Sequence, residues 1–529
     1  MNNFVTEHQV VMRDGVTLYT VLQQPEAEGK FPVVFIRSPY SVGQNDFERL
    51  KTEDTHGYAT VYQHCRGTGN SEGEFNAYLN ERNDGLDTLE WIRKQSFYNG
   101  EIFLFGGSYL STVHFSYLDT DPQDIKAAFL AVQDSERYNI LYRNGFYKTG
   151  MHGSWLVNMH RKNLPTERNF TVNTFRTLPL VGITESIFNE RVPYIEEEFS
   201  HPDPADPYWQ SSAGGVDYHD VCNKCSVPIL LVTSFYDLYT DGVFAMWDKL
   251  SPERKKNCAF LVTPFDHTYN PLVPNITEET KDFRDGLLRE ISPDLEYAWF
   301  DHFRLGKPLP FVEKGKTTFY RLWDHKWVTQ ENLSNAPQEN VFYLDKQRKL
   351  CSLPPEEGEI TYTYNPYDPA EFKGGVCNSS GGMKYQDAPD SRYDIISFLS
   401  EPLEKDMICE GRITVELDCR STAPDSCFYV RLSFERDGKT LSLRDDIDSL
   451  CRLEKDYTPG SKRKLYYTFA PHAFKLHSGS RLRLDVSSSC VPYFQVHTNI
   501  KGLQAEQSTA RTCRNTIVTG ASKIKIYSA

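Results

Sequence analysis

Ile102-Phe103-Leu104-Phe105-Gly106-Gly107-Ser108-Tyr109-Leu110-Ser111-Thr112 is the stretch on which the fold turns. Four apolar residues predict a short buried strand, two glycines a tight bend, and the residues after Ser108 a helix. A serine on such a strand-to-helix turn has its hydroxyl pushed out above the sheet. The free amides at the helix start then face any negative charge that develops beside it. Gly106 belongs to the bend, because a Cβ two residues before the serine collides there. The glycine usual two residues after the serine is replaced by Leu110, with the small Ser111 next. Taken alone, Gly-Gly-Ser more often marks an ordinary loop, and Ser108 reads equally as a helix N-cap. Partners elsewhere in the chain have to decide.

Toward the N-terminus, Val10 to Tyr19 holds two β-rich runs around Asp14-Gly15, a hairpin signal. Phe31-Pro32-Val33-Val34-Phe35-Ile36 is a near-continuous apolar strand, of the kind found in sheets covered on both faces. It runs into Arg37-Ser38-Pro39-Tyr40, a loop at the strand end where α/β sheets hold ligands. Tyr58 to Tyr62 is another strand, followed by the glycine-rich Arg66 to Gly73. That loop lacks the lysine and the glycine spacing of a phosphate or dinucleotide turn and reads as structural. From Asn83 to Gln95 an apolar face of Leu86, Leu89 and Ile92 predicts a helix with Asp84, Asp87 and Glu90 outside. The order is that of a mostly parallel α/β sheet.

Between about 121 and 220 strand-like runs become rare and aromatics such as Tyr138, Tyr142, Phe146, Tyr147 and Trp155 accumulate. This segment reads as a mostly helical cap inserted over the site. The sheet pattern resumes in Val227 to Ser234, which ends in Phe235-Tyr236-Asp237, and in Ala259 to Thr263, which ends in Pro264-Phe265-Asp266-His267. Beyond Leu305 to Pro310 period-2 alternation takes over, as in Phe428/Val430/Leu432/Phe434 and Leu482/Leu484/Val486. Such strands predict an antiparallel sandwich with one wet face, its edges guarded by charges such as Lys462-Arg463-Lys464. The expected division is an α/β domain over 1–120 and 221–310, the cap over 121–220, and the β-sandwich over 311–529.

The formal net charge of −14 argues against nucleic acid or an anionic membrane as partner. A basic region followed by an apolar run is missing at the N-terminus, and no apolar stretch is long enough to span a bilayer, so a cytoplasmic enzyme is expected. The scattered cysteines then read as free thiols. Cys222-Asn223-Lys224-Cys225 lacks a second pair or histidines at zinc spacing, so a metal or redox role is not assigned to it.

Ser108, Asp237 and His267 each follow a predicted parallel strand, in the chain order Ser, Asp, His of α/β-hydrolases. A neutral imidazole can take the serine proton during attack, and a carboxylate behind it fixes the tautomer. Asp241 and Asp266 are rival carboxylates, although Asp266 and His267 are neighbours whose side chains diverge. His302 sits in an amphipathic segment and reads as packing. The amide of Tyr109 is the expected first oxyanion donor, with the Tyr40 phenol a candidate for the second.

Arg37-Ser38-Pro39-Tyr40, Arg66 to Gly73, Asp84 to Ile92, Gly106-Gly107-Ser108-Tyr109, Phe235-Tyr236-Asp237 and Trp299-Phe300-Asp301 resemble the CocE/NonD hydrolases. These are the cocaine-esterase and X-Pro dipeptidyl-peptidase (S15) superfamily. Ser400 to Leu403, Ala423-Pro424-Asp425 and Arg481 to Ser489 resemble its C-terminal jelly-roll domain. The resemblance implies an α/β-hydrolase fold with an inserted helical cap and a jelly-roll β-sandwich. It implies Ser108 as nucleophile, His267 as base, Asp237 as its orienter, and Tyr40 with the Tyr109 amide as oxyanion donors. His64 stands where the family has an aspartate two residues before Arg66, so a local ion pair is expected to be lost. Leu238-Tyr239-Thr240 stand where amino-acid ester hydrolases carry acids for a substrate ammonium, which disfavours that class.

The reading is a serine hydrolase that cleaves a small-molecule ester or amide through an acyl-enzyme, without metal or organic cofactor. An X-Pro dipeptidyl-peptidase is the alternative, and a non-catalytic hydrolase-fold binding protein is the alternative of another class.

Overall fold

The computed structural model describes residues 3–40, 49–134, 136–161, 176–211, 220–267, 287, 289–291, 294–375, 382–453 and 455–529. Within the span expected to form the cap, 135, 162–175 and 212–219 lie outside the described residues.

The apolar runs assemble as a ten-stranded sheet. Its strands are β1 (Phe4–Val11), β2 (Thr17–Gln24), β3 (Phe31–Ser38), β4 (Ala59–His64), β5 (Tyr98–Gly107) and β6 (Ile125–Ala131). A two-stranded ribbon, β7 (Tyr142–Arg143) and β8 (Phe146–Tyr147), intervenes outside it. The sheet continues with β9 (Ile229–Tyr236), β10 (Ala259–Asp266), β11 (Thr317–Arg321) and β12 (Lys326–Gln330). Their order is β1-β2-β4-β3-β5-β6-β9-β10-β11-β12, and every pair from β4 to β11 is parallel. Every residue of β9 and β10 is buried, as strands covered on both faces require.

The helix Glu81–Arg93 packs on the helix Tyr109–Leu118 at Gly85, where a Cβ would meet the Tyr117 ring at 2.5 Å. Asp84, expected on the outer face, is buried. It accepts from Arg66 at 2.7 and 3.1 Å and lies 3.7 Å from Arg37, so its partners carry it inside. Arg66 also pairs with Asp14 at 2.7 Å.

The second sheet has twelve strands. In chain order these are β13 (Gln338–Leu344), β14 (Lys349–Cys351), β15 (Glu359–Tyr364), β16 (Ile396–Ser400), β17 (Met407–Gly411) and β18 (Thr414–Ser421). They continue as β19 (Cys427–Arg436), β20 (Lys439–Ser449), β21 (Arg463–Thr468), β22 (His472–Leu476), β23 (Arg481–Ser487) and β24 (Cys513–Ser528). β24 is the hub, pairing with β13, β15, β17 and β18.

Two expectations change here. Residues 317–330 belong to the first sheet, because β11 extends β10 in parallel and β12 folds back on β11. The face of β19 and β23 expected to be wet is buried: Tyr429, Arg431, Ser433, Arg483 and Asp485 are each 3% exposed or less. Its charges pair with one another, Arg431 with Asp445 and Arg483 with Asp485, both at 2.7 Å. Polarity along the strand therefore marks a paired interior rather than solvent.

The two halves share one continuous apolar core. The Tyr236 hydroxyl donates to Ser442 O at 2.8 Å. Arg143, on the ribbon, bonds Asp446 at 2.7 and 2.8 Å and Asp241 at 2.9 Å. Gly150 passes so close to the β-half that a Cβ would lie 2.2 Å from Pro492 O. Among the described residues, no helix is long and apolar enough to cross a membrane.

Candidate active site

Ser108 has φ 57° and ψ −128°, a left-handed-side conformation that a residue with a Cβ rarely adopts. Its amide donates to Ala131 O at 2.9 Å, which pins the bend to β6. A Cβ on Gly106 would come within 2.2 Å of Leu110 O, so only glycine lets the helix start this tightly. Ser111 is buried and donates toward Gly106 O at 2.8 Å and Ala131 O at 3.0 Å. Its hydroxyl thus adds a strand-to-helix tie.

The ends of β9 and β10 bring the other two side chains to this bend. His267 Nε2 lies 3.0 Å from Ser108 Oγ, and His267 Nδ1 lies 2.5 Å from Asp237 Oδ2. Asp237 is fully buried, and its Oδ1 accepts from the Tyr239 amide at 2.7 Å, so the carboxylate is held from both sides. The Tyr239 ring meets the His267 ring edge-on at 5.6 Å. Such an arrangement can move the serine proton to Nε2 while the carboxylate steadies the imidazolium. Asp241 faces Arg143 instead, and His302 Nδ1 meets Lys307 O at 2.7 Å at the end of its own helix.

Tyr109 leaves the bend with its amide at the helix N-terminus, while its hydroxyl donates to Glu81 at 2.8 Å and accepts from the Tyr78 amide at 2.9 Å. Tyr40 follows β3, the neighbour of β5. Its hydroxyl accepts from the indole N–H of Trp155, in the helix Ser154–Arg161, at 2.9 Å. Burial raises the Tyr40 pKa, so the phenol stays protonated and able to donate.

Glu198, at the end of the helix Pro193–Glu198, is fully buried. It accepts from Arg137 at 2.8 Å and Tyr147 at 3.2 Å, and lies 3.2 Å from His152 Nε2. Burial opposes its charge, but His152 and Arg137 outweigh this and hold its pKa below the ordinary value.

A cavity of about 770 Å³ lies between residues 134–151, the residues after Asp237 and the β-half. Leu238 and Tyr239 line it, and the Tyr239 ring also contacts His267. In its lining, burial lifts Asp134 to about 7 and lowers Lys148 to about 8. Neither residue carries a sequence motif; only their positions after β6 and the ribbon place them here. Cys222 and Cys225 are buried free thiols beneath Arg254, whose Nε donates to Cys222 O at 2.9 Å.

The family model described as X-Pro dipeptidyl-peptidase (S15 family) matches residues 14–269, and that of the X-Pro dipeptidyl-peptidase C-terminal non-catalytic domain matches 311–524. Cocaine esterase of Rhodococcus sp. (strain MB1 Bresler) is 23% identical over 557 aligned positions, covering 95% of this chain and 94% of its own. An aminopeptidase from a Thaumarchaeota archaeon superposes with a TM-score of 0.82 at 19% identity, over 100% of this chain and 96% of the other. An α-amino acid ester hydrolase gives a TM-score of 0.81 at 18% identity, over 100% and 97%.

Proposed function

The chain belongs to the CocE/NonD and S15 superfamily of serine hydrolases, and from that premise we propose that it cleaves a small-molecule carboxylic ester through an acyl-enzyme formed on Ser108. The observation that carries this reading is the continuous contact from Ser108 Oγ through His267 to Asp237, at 3.0 and 2.5 Å. Ser108 Oγ attacks the ester carbonyl carbon as its proton passes to His267 Nε2. The carbonyl oxygen takes up the negative charge, facing the Tyr109 amide and the Tyr40 phenol. Collapse returns the proton from His267 to the departing alcohol and leaves the acyl-serine. Water then attacks the acyl carbon, losing its proton to His267, and the acid departs as the serine is restored.

The parallel run from β4 to β11, with Ser108 after β5, supports an α/β-hydrolase fold over 1–120 and 221–330, since β11 and β12 continue the same sheet. The segment 121–220 then serves as cap, and the second sheet as a jelly-roll sandwich. Leu238 and Thr240 offer no charge beside Asp237, which supports a neutral ester over a substrate held by its ammonium.

Fluorophosphonate labelling of the native chain and of Ser108→Ala tests the nucleophile. Label is expected only on the native chain, with ester turnover falling roughly 10⁴- to 10⁶-fold in the variant. Equal labelling of both overturns the assignment. In a substrate panel, short-chain p-nitrophenyl esters are expected to turn over well and Gly-Pro-p-nitroanilide poorly, and the reverse ranking favours a dipeptidyl-peptidase.

A further inference from the structure

We propose that Trp155, in the helix Ser154–Arg161 of the covering segment, is a positioning residue that aims the Tyr40 phenol at the reacting carbonyl oxygen. The inference rests on the oxyanion role given to Tyr40 above. An indole N–H only donates, so in the 2.9 Å contact the phenol oxygen must be the acceptor. A phenol O–H lies in the ring plane and has two directions available. Accepting from Trp155 on one side turns the O–H to the other. A hydrogen bond received also strengthens the one given, because each polarises the next. Burial dominates the upward shift of the Tyr40 pKa, and the Trp155 bond acts against it, as a bond that makes the phenol a better donor must.

Trp155 is itself fixed. Its ring centroid lies 5.3 Å from Tyr109, 5.6 Å from His152, 6.2 Å from Phe75 and 6.4 Å from Tyr78. His152 in turn sits on Glu198. One indole therefore touches the side chains of both residues given oxyanion roles, Tyr40 by a hydrogen bond and Tyr109 by ring contact. Tyr40 gains this directional tether from a residue 115 positions away. The hole is complete only with the covering segment seated, which couples substrate enclosure to catalytic competence.

The test is a double-mutant cycle on a short-chain p-nitrophenyl ester, using Trp155→Phe, Tyr40→Phe and the double variant. Phenylalanine keeps an aromatic ring while removing the N–H donor together with the second ring of the indole, and the double variant separates the two effects. Trp155→Phe is expected to lower kcat about tenfold, the value of one hydrogen bond, with KM changed less than twofold. Tyr40→Phe is expected to cost on the order of 100-fold, and the double variant no more than Tyr40→Phe alone. A purely structural Trp155 would instead give losses that multiply, or a loss confined to KM. Either result, or a Trp155→Phe enzyme equal to the native one, overturns the proposal. Should Trp155→Phe fail to fold by circular dichroism, Trp155→Leu, which also lacks a donor, takes its place in the cycle, with the same requirement that its loss vanish without the Tyr40 hydroxyl. Ser108→Ala is run alongside. Retained turnover there defeats the site reading itself, whereas a dead Ser108→Ala with multiplying losses defeats only the role of Trp155.

Discussion

Glu81 and Glu198 are both buried carboxylates, and each has a buried arginine and a tyrosine hydroxyl. Arg37 donates to Glu81 at 2.7 Å and Tyr109 at 2.8 Å; Arg137 donates to Glu198 at 2.8 Å and Tyr147 at 3.2 Å. Their settings differ. The Glu81 group joins β3 to a 13-residue helix, and the long ladders of the sheet already fix its members. The Glu198 group joins a five-residue helix, a ribbon of two residue pairs and the helix Pro193–Glu198. Backbone pairing is thin there, so side-chain charge does the organising that a ladder does in the sheet. A carboxylate that organises a region makes that region titratable.

Removing each arginine separates the two settings. Arg37→Met leaves Glu81 buried without its countercharge, while Asp84 keeps Arg66. A loss of about 3–5 kcal/mol is expected, read as a large fall in Tm or as insoluble protein. Arg137→Met should harm the covering segment first: turnover falls more than tenfold and limited proteolysis cuts within 121–220 while circular dichroism from the sheets persists. Equal global destabilisation by both would break the comparison.

Acid sharpens it further. The pKa of Glu198 lies below its ordinary 4.5, so the unfolded chain binds the extra proton more readily. The stability this group contributes is full above about 4.5 and is lost as pH falls from there through the folded value. The Tm advantage of the native chain over Glu198→Gln should therefore shrink below that pH; a constant difference contradicts the charge assignment. The smallest effect is expected at Ser111→Ala, about 1 kcal/mol for the hydroxyl that ties β5, β6 and the following helix. Thermal unfolding measures it.

The parts of the molecule legible in the sequence are those whose physics is contiguous. β5 and the Ser108 bend lie in one eleven-residue stretch, and parallel strands must each end in a loop on the same sheet edge, which is why Asp237 and His267 can be picked out. Glu198 could not be, because its partners Arg137, Tyr147 and His152 are 46 to 61 positions away and follow no period. Trp155 was visible only as one aromatic among several; its bond to Tyr40 depends on how two distant segments dock. The buried polar face of β19 and β23 escaped for another reason. Alternation reports which residues are polar, and only the docking of neighbours decides whether polar means wet.

Because β11 joins β10, a fragment ended at residue 310 would bare the edge of the very strand that delivers His267. Its unmet amides and carbonyls would invite another copy to pair, so aggregation is the outcome to anticipate. Ending at 330 keeps that edge closed but tears the Tyr236–Ser442 and Arg143–Asp446 links. Gene shuffling that trades the C-terminal half between relatives must therefore cross over after β12 and carry these contacts along.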